Sequence, residues 1–306
     1  MAASSQATSR TLVNAMSVDV EDYFQVSAFD RVVRRGTWGE FESRVCANTE
    51  RLLGLFDETG VRATFFVLGW VAVRFPSLVR RIAESRHEIA SHGYAHRLVY
   101  DLLPEEFRDD VRRAKGVLED IAGVAIEGYR APSYSVTNQS MWALDVLIEE
   151  GYAYDASIFP IHHDRYGIPD ANRNVHVLHR TGGSIIEAPA STVRLGGVNL
   201  PIAGGGYFRM LPYRWTRWGI DRLNRVERTP AIFYIHPWEI DRDQPRIAVG
   251  PMTRFRHYRN LGKTEARLRT MLRDFRFSTV ANVVHSVRLH ASGSTMFSPV
   301  PARVAS

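Results

Sequence analysis

The stretch Asn14-Ala15-Met16-Ser17-Val18-Asp19-Val20-Glu21-Asp22 is a short apolar run that stops at three acids. A run of this length that meets charge abruptly reads as a buried strand ending at a loop. Outward from it, strand-like runs alternate with amphipathic helical segments: a strand near 14–18, a helix near 44–59, a strand near 63–68 and a helix near 76–85. Pro104-Glu105-Glu106 has the chemistry of a first helical turn, so a helix should run to about 121, with Gly123 as its terminator. A helix near 139–150 follows, then short strands near 152–155, 184–189 and 231–235, and a late helix near 264–275. Repeated βα units predict an α/β protein with a parallel sheet or barrel. No internal repeat or low-complexity linker divides the chain, so a single domain is expected over 13–290, between a flexible N-terminal extension at 1–12 and a flexible tail at 291–306.

With 306 residues and 45% hydrophobic content the chain can bury a large core. No window approaches the roughly 18 consecutive apolar residues of a membrane span, and the first residues lack the apolar core of a signal peptide. A cytoplasmic protein is therefore expected. Cys46 is the single cysteine, which excludes an internal disulfide, and its surroundings read as helix packing. The net charge of +6 raises the question of nucleic acid, but the arginines are scattered and only Lys115 and Lys263 are lysines. Nucleic acid is not an expected partner, whereas an anionic polysaccharide or a lipid-linked sugar phosphate is compatible with a basic surface.

In parallel α/β folds functional groups gather where strands end. Asp19 to Asp22 end the first strand, His92 and His96 follow Glu88-Ile89-Ala90, Arg130-Ala131-Pro132 follows 126–129, Asp155 ends the next strand, and His236-Pro237-Trp238 follows 231–235. Two histidines four apart can share one metal ion, and the upstream acids can add a carboxylate. Taken singly, each element has an ordinary reading: the acids as a helix cap, the histidines as a surface pair, Arg130 as an ion pair, Asp155 as a cap. Their occurrence together and in this order points to a metal-dependent hydrolase.

The order and spacing of these motifs resemble the NodB-homology polysaccharide deacetylases of carbohydrate esterase family 4. The segment 17–26, with Gly205-Gly206-Tyr207-Phe208-Arg209 and Phe255-Arg256-His257-Tyr258-Arg259, resembles more narrowly the subgroup of exosortase-linked (PEP-CTERM) exopolysaccharide loci. The resemblance implies a distorted (β/α)7-type barrel and the removal of acetyl groups from N-acetylated sugars of a polysaccharide or lipid-linked glycan precursor in exopolysaccharide biosynthesis. It also implies a divalent metal, zinc by default, with cobalt, nickel or iron compatible, held by His92, His96 and a carboxylate. By the same resemblance Asp19 is the general base, Arg130 holds that base, and His236 is the general acid, tuned by Asp155 or Glu187.

The family's usual second aspartate is here Val20, so the third ligand is expected to be Glu21 or Asp22. Residues two apart on a strand share a face, which favours Glu21 if the strand stays extended, and a turn after Val20 would favour Asp22. The aromatic that often follows the proline of the arginine motif is displaced by Ser133 to Tyr134. Tyr94, Tyr134, Tyr207 and Trp238 are candidate sugar-binding aromatics, with Phe208 beside them. A loop around Pro160 and Gly167, containing His162 and His163, reads as a substrate-side lid. Two other functions fit the sequence: a metal-independent C–N hydrolase of the same fold, as in allantoinase-like relatives, and a non-catalytic glycan-binding scaffold.

Overall fold

The computed structural model describes residues 12–294. Its strands are β1 (Asn14–Val20), β2 (Thr64–Val67), β3 (Glu88–Ser91), β4 (Gly128–Tyr129), β5 (Tyr154–Asp155), β6 (His176–Arg180), β7 (Gly183–Glu187), β8 (Thr192–Leu195), β9 (Val198–Pro201), β10 (Ile232–Ile235) and β11 (Phe277–Ser278). The helices are α1 (Val45–Thr59), α2 (Gly69–Arg74), α3 (Pro76–Glu84), α4 (Pro104–Ala122), α5 (Ala143–Glu149), α6 (Gly205–Met210), α7 (Tyr213–Arg222), α8 (Pro251–Tyr258), α9 (Leu261–Asp274) and α10 (Val280–Ser294).

Seven strands run parallel in the order β10-β1-β2-β3-β4-β5-β7, β6 folds back on β7 as an antiparallel edge, and β11 pairs with the start of β1. The regular ladder is open. Irregular backbone beyond β7 bridges its ends to β10, through Ser191 N–H to Ile232 O (3.3 Å) and Tyr234 N–H to Ala203 O (2.8 Å). The result is a distorted seven-stranded barrel with a seam between β7 and β10, the architecture the βα alternation predicts.

Period-two alternation sorts β1 into two faces. Met16, Val18 and Val20 join Leu52, Phe56, Phe65 and Val67 in the layer beneath the helices, while Ala15 packs with Phe66, Ala90 and Ile232 in a second, separate cluster. Val280, Val283 and Val284 of α10 join that second cluster. The helix continues to Ser294, so residues 291–294, expected as tail, are helical; the remaining tail residues and residues 1–11 of the expected extension lie outside the described residues. Helix α4 begins at Pro104, with Glu106 accepting from Leu103 N–H (2.9 Å), and ends at Gly123, which takes the left-handed conformation (φ 67°) its terminator role requires. The β8–β9 hairpin, β6 and α8 were not legible from periodicity.

His87 lies between α3 and β3 against Phe56 and Phe65, and its Nδ1 accepts the Ala63 N–H (3.1 Å). Burial pushes this imidazole down to about 4 from an ordinary 6.5. Between those values the unfolded chain binds the extra proton and the folded chain does not, so stability is complete above the unfolded value and is lost as pH falls through the window. Denaturant titrations at pH 7 and pH 4 should show His87→Asn losing less stability than wild type by about 1–2 kcal/mol, once solvent screening is allowed for.

Candidate active site and metal centre

The parallel register aligns strand ends in one row: Val20 with Val67, Val67 with Ser91, Ser91 with Tyr129, Tyr129 with Asp155, and Asp155 with Glu187. The next residue after three of these is Glu21, His92 or Arg130, which places all three at one mouth of the barrel. His236 follows β10 at the same mouth, since Ile235 pairs with Val18. Ala15, Ser17 and Asp19 face away from the helices and Val20 fills the apolar layer beneath them, while a tight turn at Val20, with Glu21 N–H on the Asp19 carbonyl (3.0 Å), leaves Glu21 at the mouth.

Glu21, His92 and His96 offer three ligand atoms that all lie within 4.8 Å of one another, and all three residues are buried. The His92 Nδ1 is 2.8 Å from the Arg130 carbonyl, which fixes that nitrogen as the N–H donor and leaves Nε2 with its lone pair. Burial pushes His92 down to about 4, so it is neutral and ligand-competent near pH 7. Burial also opposes ionisation of Glu21, but the imidazoles of His96 and His236 outweigh it and hold the carboxyl below the usual range. Glu21 Oε2 lies 2.7 Å from His96 Nε2, yet neither Oε2 nor His96 Nδ1 has a hydrogen-bond partner. A buried carboxylate set 2.7 Å from one imidazole and beside a second suits a divalent cation, with nitrogen and oxygen donors of the kind zinc accepts.

The His-x-x-x-His segment is a loop, not the helical turn its spacing allows. Gly93 (φ 72°) and His96 (φ 49°) both adopt left-handed backbone, and Asp110 from α4 accepts the Tyr94 N–H at 2.7 Å. A Cβ at Gly93 would stand 2.8 Å from that Asp110 oxygen, so glycine is required where the loop crosses α4. Asp110 is a positioning residue that sequence spacing does not reveal.

Arg130 is fully buried. Its Nη1 donates to Asp19 Oδ1 (2.6 Å) and Ser17 Oγ (2.8 Å), and its Nε donates to the Ala156 carbonyl (3.2 Å). Asp19 Oδ2 remains on the cluster side, 3.9 Å from His236 Nε2. The other ring nitrogen, His236 Nδ1, donates to Glu239 Oε1 at 2.6 Å, and Glu239 also receives Arg209 Nε at 2.6 Å. Burial works against the charged form of His236, but Glu21, Glu239 and Asp19 together raise it to about 9. Glu239 was missed in the sequence, although the i,i+3 spacing from His236 across Pro237 is that of a capping box, and the structure forms one.

Several expected placements are corrected. Asp22 is not a ligand: after Val20 the chain turns, and its carboxylate receives Ser43 Oγ (2.6 Å), Arg44 N–H (3.0 Å) and Val45 N–H (3.2 Å), closing the N-terminus of α1. Asp155 and Glu187 do not tune His236. They face each other at the ends of β5 and β7, and burial followed by the Asp155 charge drives Glu187 well above the carboxylate range. Tyr94 lies half-buried under Arg113, whereas Tyr134, buried on Tyr234 and Arg130, and Phe208, packed on Phe233, present no open face to a sugar. Trp238 donates its Nε1–H to Glu21 Oε1 (3.1 Å) and stacks between His236 and His257. Tyr207 lines the adjoining cleft, as do His163 and Tyr166 of the expected lid loop. Tyr134 and Ser133 both adopt positive φ, and the Tyr134 N–H is taken by the Ala131 carbonyl. Cys46 is half-buried against the core with its thiol pushed up to about 11, consistent with packing.

These placements separate Glu21 from Asp22 experimentally. Elemental analysis after zinc loading should give one ion per chain for wild type and Asp22→Ala and none for Glu21→Ala, while Asp22→Ala alone should lose about 1–2 kcal/mol of stability through the missing α1 cap.

The polysaccharide deacetylase family model matches residues 37–153, and a domain of unknown function, DUF3473, matches residues 156–285. Asp19 and Glu21 precede both matches, and His236 and Glu239 fall in the second. A peptidoglycan-N-acetylglucosamine deacetylase of Bacillus cereus is 34% identical over 98 residues, 32% of this chain and 36% of that protein. A chitooligosaccharide deacetylase of Bradyrhizobium is 28% identical over 110 residues, 36% of this chain and 48% of that protein. The matched region thus spans less than half the length of either relative. A candidate polysaccharide deacetylase from Mycobacterium smegmatis shares the fold across 98% of this chain and 97% of its own, with a TM-score of 0.61 at 21% identity. Residues 37–153 thus match the polysaccharide deacetylase family, and the chain as a whole shares the fold of the Mycobacterium smegmatis protein.

Proposed function

We propose that the protein hydrolyses the acetamide of N-acetylated sugars in a polysaccharide or lipid-linked glycan precursor, with Glu21, His92 and His96 holding a divalent cation, zinc first among the candidates. The observation that carries this reading is the flanking of one three-ligand cluster by two proton-handling groups, each held by its own buried counter-charge: Asp19 by Arg130 and His236 by Glu239. The names of the matched relatives favour an N-acetylated glycan. Exopolysaccharide biosynthesis as the setting rests on the subgroup resemblance of residues 17–26.

A cation held by these residues supplies Lewis acidity, polarising the amide carbonyl and making water nucleophilic near neutral pH. Asp19 Oδ2, which Arg130 leaves free, takes the proton from the attacking water. His236 donates from Nε2 to the departing nitrogen, which leaves as a neutral amine because an amide anion is a very poor leaving group. Glu239 keeps the His236 Nδ1–H engaged throughout, so that Nε2 is the nitrogen facing the cluster.

Acetate release from chitooligosaccharides and from a lipid-linked N-acetylhexosamine tests the reading. Zinc-loaded wild type should release acetate, chelation should abolish it, Asp19→Asn should lower kcat by about 10²–10⁴-fold, and Glu239→Gln by roughly 10–100-fold with the metal retained. Full activity in metal-stripped protein would instead establish a metal-independent C–N hydrolase, and stoichiometric metal without turnover on any glycan would leave a binding protein.

A further inference from the structure

Beside the cluster, beyond Trp238, opens a cleft of about 740 Å³ whose exposed arginines come from three separate segments of the chain. Arg31 enters from the loop after β1, Arg165 from the loop between β5 and β6, and Arg256 from α8. All three are exposed, and none forms an ion pair with a carboxylate among the described residues. The fourth arginine of the lining, Arg209, is spent: Glu239 takes its Nε, and the carbonyls of Arg256 and His257 take its Nη1 at 2.9 and 2.6 Å. The cleft's one carboxylate, Asp30, already faces Arg35 at 3.5 Å.

Three guanidiniums without a carboxylate ion pair, one of them resting on the Ser27 carbonyl (Arg165 Nη2, 3.4 Å), therefore line one concavity that the site shares through Trp238. Like charges repel, and these three line one cleft although they come from elements distant in sequence. Their field reaches His163 on the same wall: burial first, and then Arg165 and Arg256, push that imidazole below its ordinary value against the pull of Asp164. Tyr207 adds an aromatic surface beside the charges.

We propose that this cleft binds a negatively charged group of the glycan, a carboxylate or a phosphate, carried next to the N-acetylated sugar at the Glu21–His92–His96 cluster. Guanidinium groups match both anions through paired N–H donors. The inference rests on the deacetylase reading and narrows its substrate to an anionic glycan or a glycosyl phosphate.

The test compares three substrates of matched length: a neutral N-acetylglucosamine oligomer, the same oligomer with one uronate, and the same oligomer carrying a reducing-end phosphate. At low salt, kcat/KM for at least one anionic substrate should exceed the neutral one by about tenfold, and this preference should shrink as salt rises. Arg165→Gln and Arg256→Gln should each cut the preference by roughly 3–10-fold. The uronate and phosphate arms identify which anion is read. Equal rates on neutral and anionic substrates in wild type, or equal losses on both in the variants, overturn the inference. If no substrate releases acetate, calorimetric titration of the uronate and phosphate oligomers decides it separately: arginine-dependent binding upholds the anion site while the deacetylase reading fails, and absence of binding overturns both.

Discussion

Everything at the mouth of the barrel is arranged around the burial of one guanidinium. Arg130 carries a charge that cannot reach water, so each of its donors must find an acceptor or the fold bears a desolvation penalty of several kcal/mol. The acceptors come from β1 and from the segment after β5, strands on opposite sides of β2, β3 and β4. Satisfying one side chain thus fixes the inward face of β1, and with it the positions of Asp19 and Glu21. The backbone of the same residue orients His92 through its carbonyl. One residue therefore sets the geometry of the proposed proton acceptor and the tautomer of a proposed metal ligand.

A second requirement of the proposed reaction is that its two sides stay electrostatically distinct. Asp19 meets a cation on the side away from the cluster, and His236 meets an anion on the side away from it. Their counter-charges belong to different layers of the structure, since Glu239 is tied through Arg209 to the carbonyls at the end of α8. The machinery that orients the acid is consequently anchored in the C-terminal third of the chain, in the region matched only by a domain of unknown function. That region completes the site that the deacetylase-matched region begins.

Much of this was legible in the residues alone. Strand ends that terminate in charge brought out Asp19, His92, Arg130 and His236, and period-two alternation favoured Glu21 only for a strand that stayed extended, whereas the chain turns after Val20 and Glu21 reaches the cluster nonetheless. What remained hidden follows two physical patterns. Asp110 and Arg209 act through backbone atoms of distant loops, contacts that leave no trace in local spacing. Asp155 and Glu187 also sit at strand ends, but chain order says nothing about distance around a barrel, and the curvature carries them toward each other and away from His236. A turn after Val20 pointed in the sequence to Asp22, but Ser43 and the first amides of α1 claim that carboxylate, a contact local spacing does not show.

The seam of the barrel has a further implication. Between β7 and β10 the wall is joined by isolated backbone bonds, while every other neighbouring pair shares a ladder. A ladder fixes register, and a slip of one residue would reverse every side chain it carries. Isolated bonds impose no such condition, so the chain crossing the seam can change length without disturbing the strands on either side. The β8–β9 hairpin, α6 and α7 all lie in that crossing. The seam is the place where this architecture can accept new chain, and the residues it has admitted include Tyr207 and Arg209, which stand at the cleft. A change of length on the cleft-facing surface is thereby uncoupled from the register of the barrel itself.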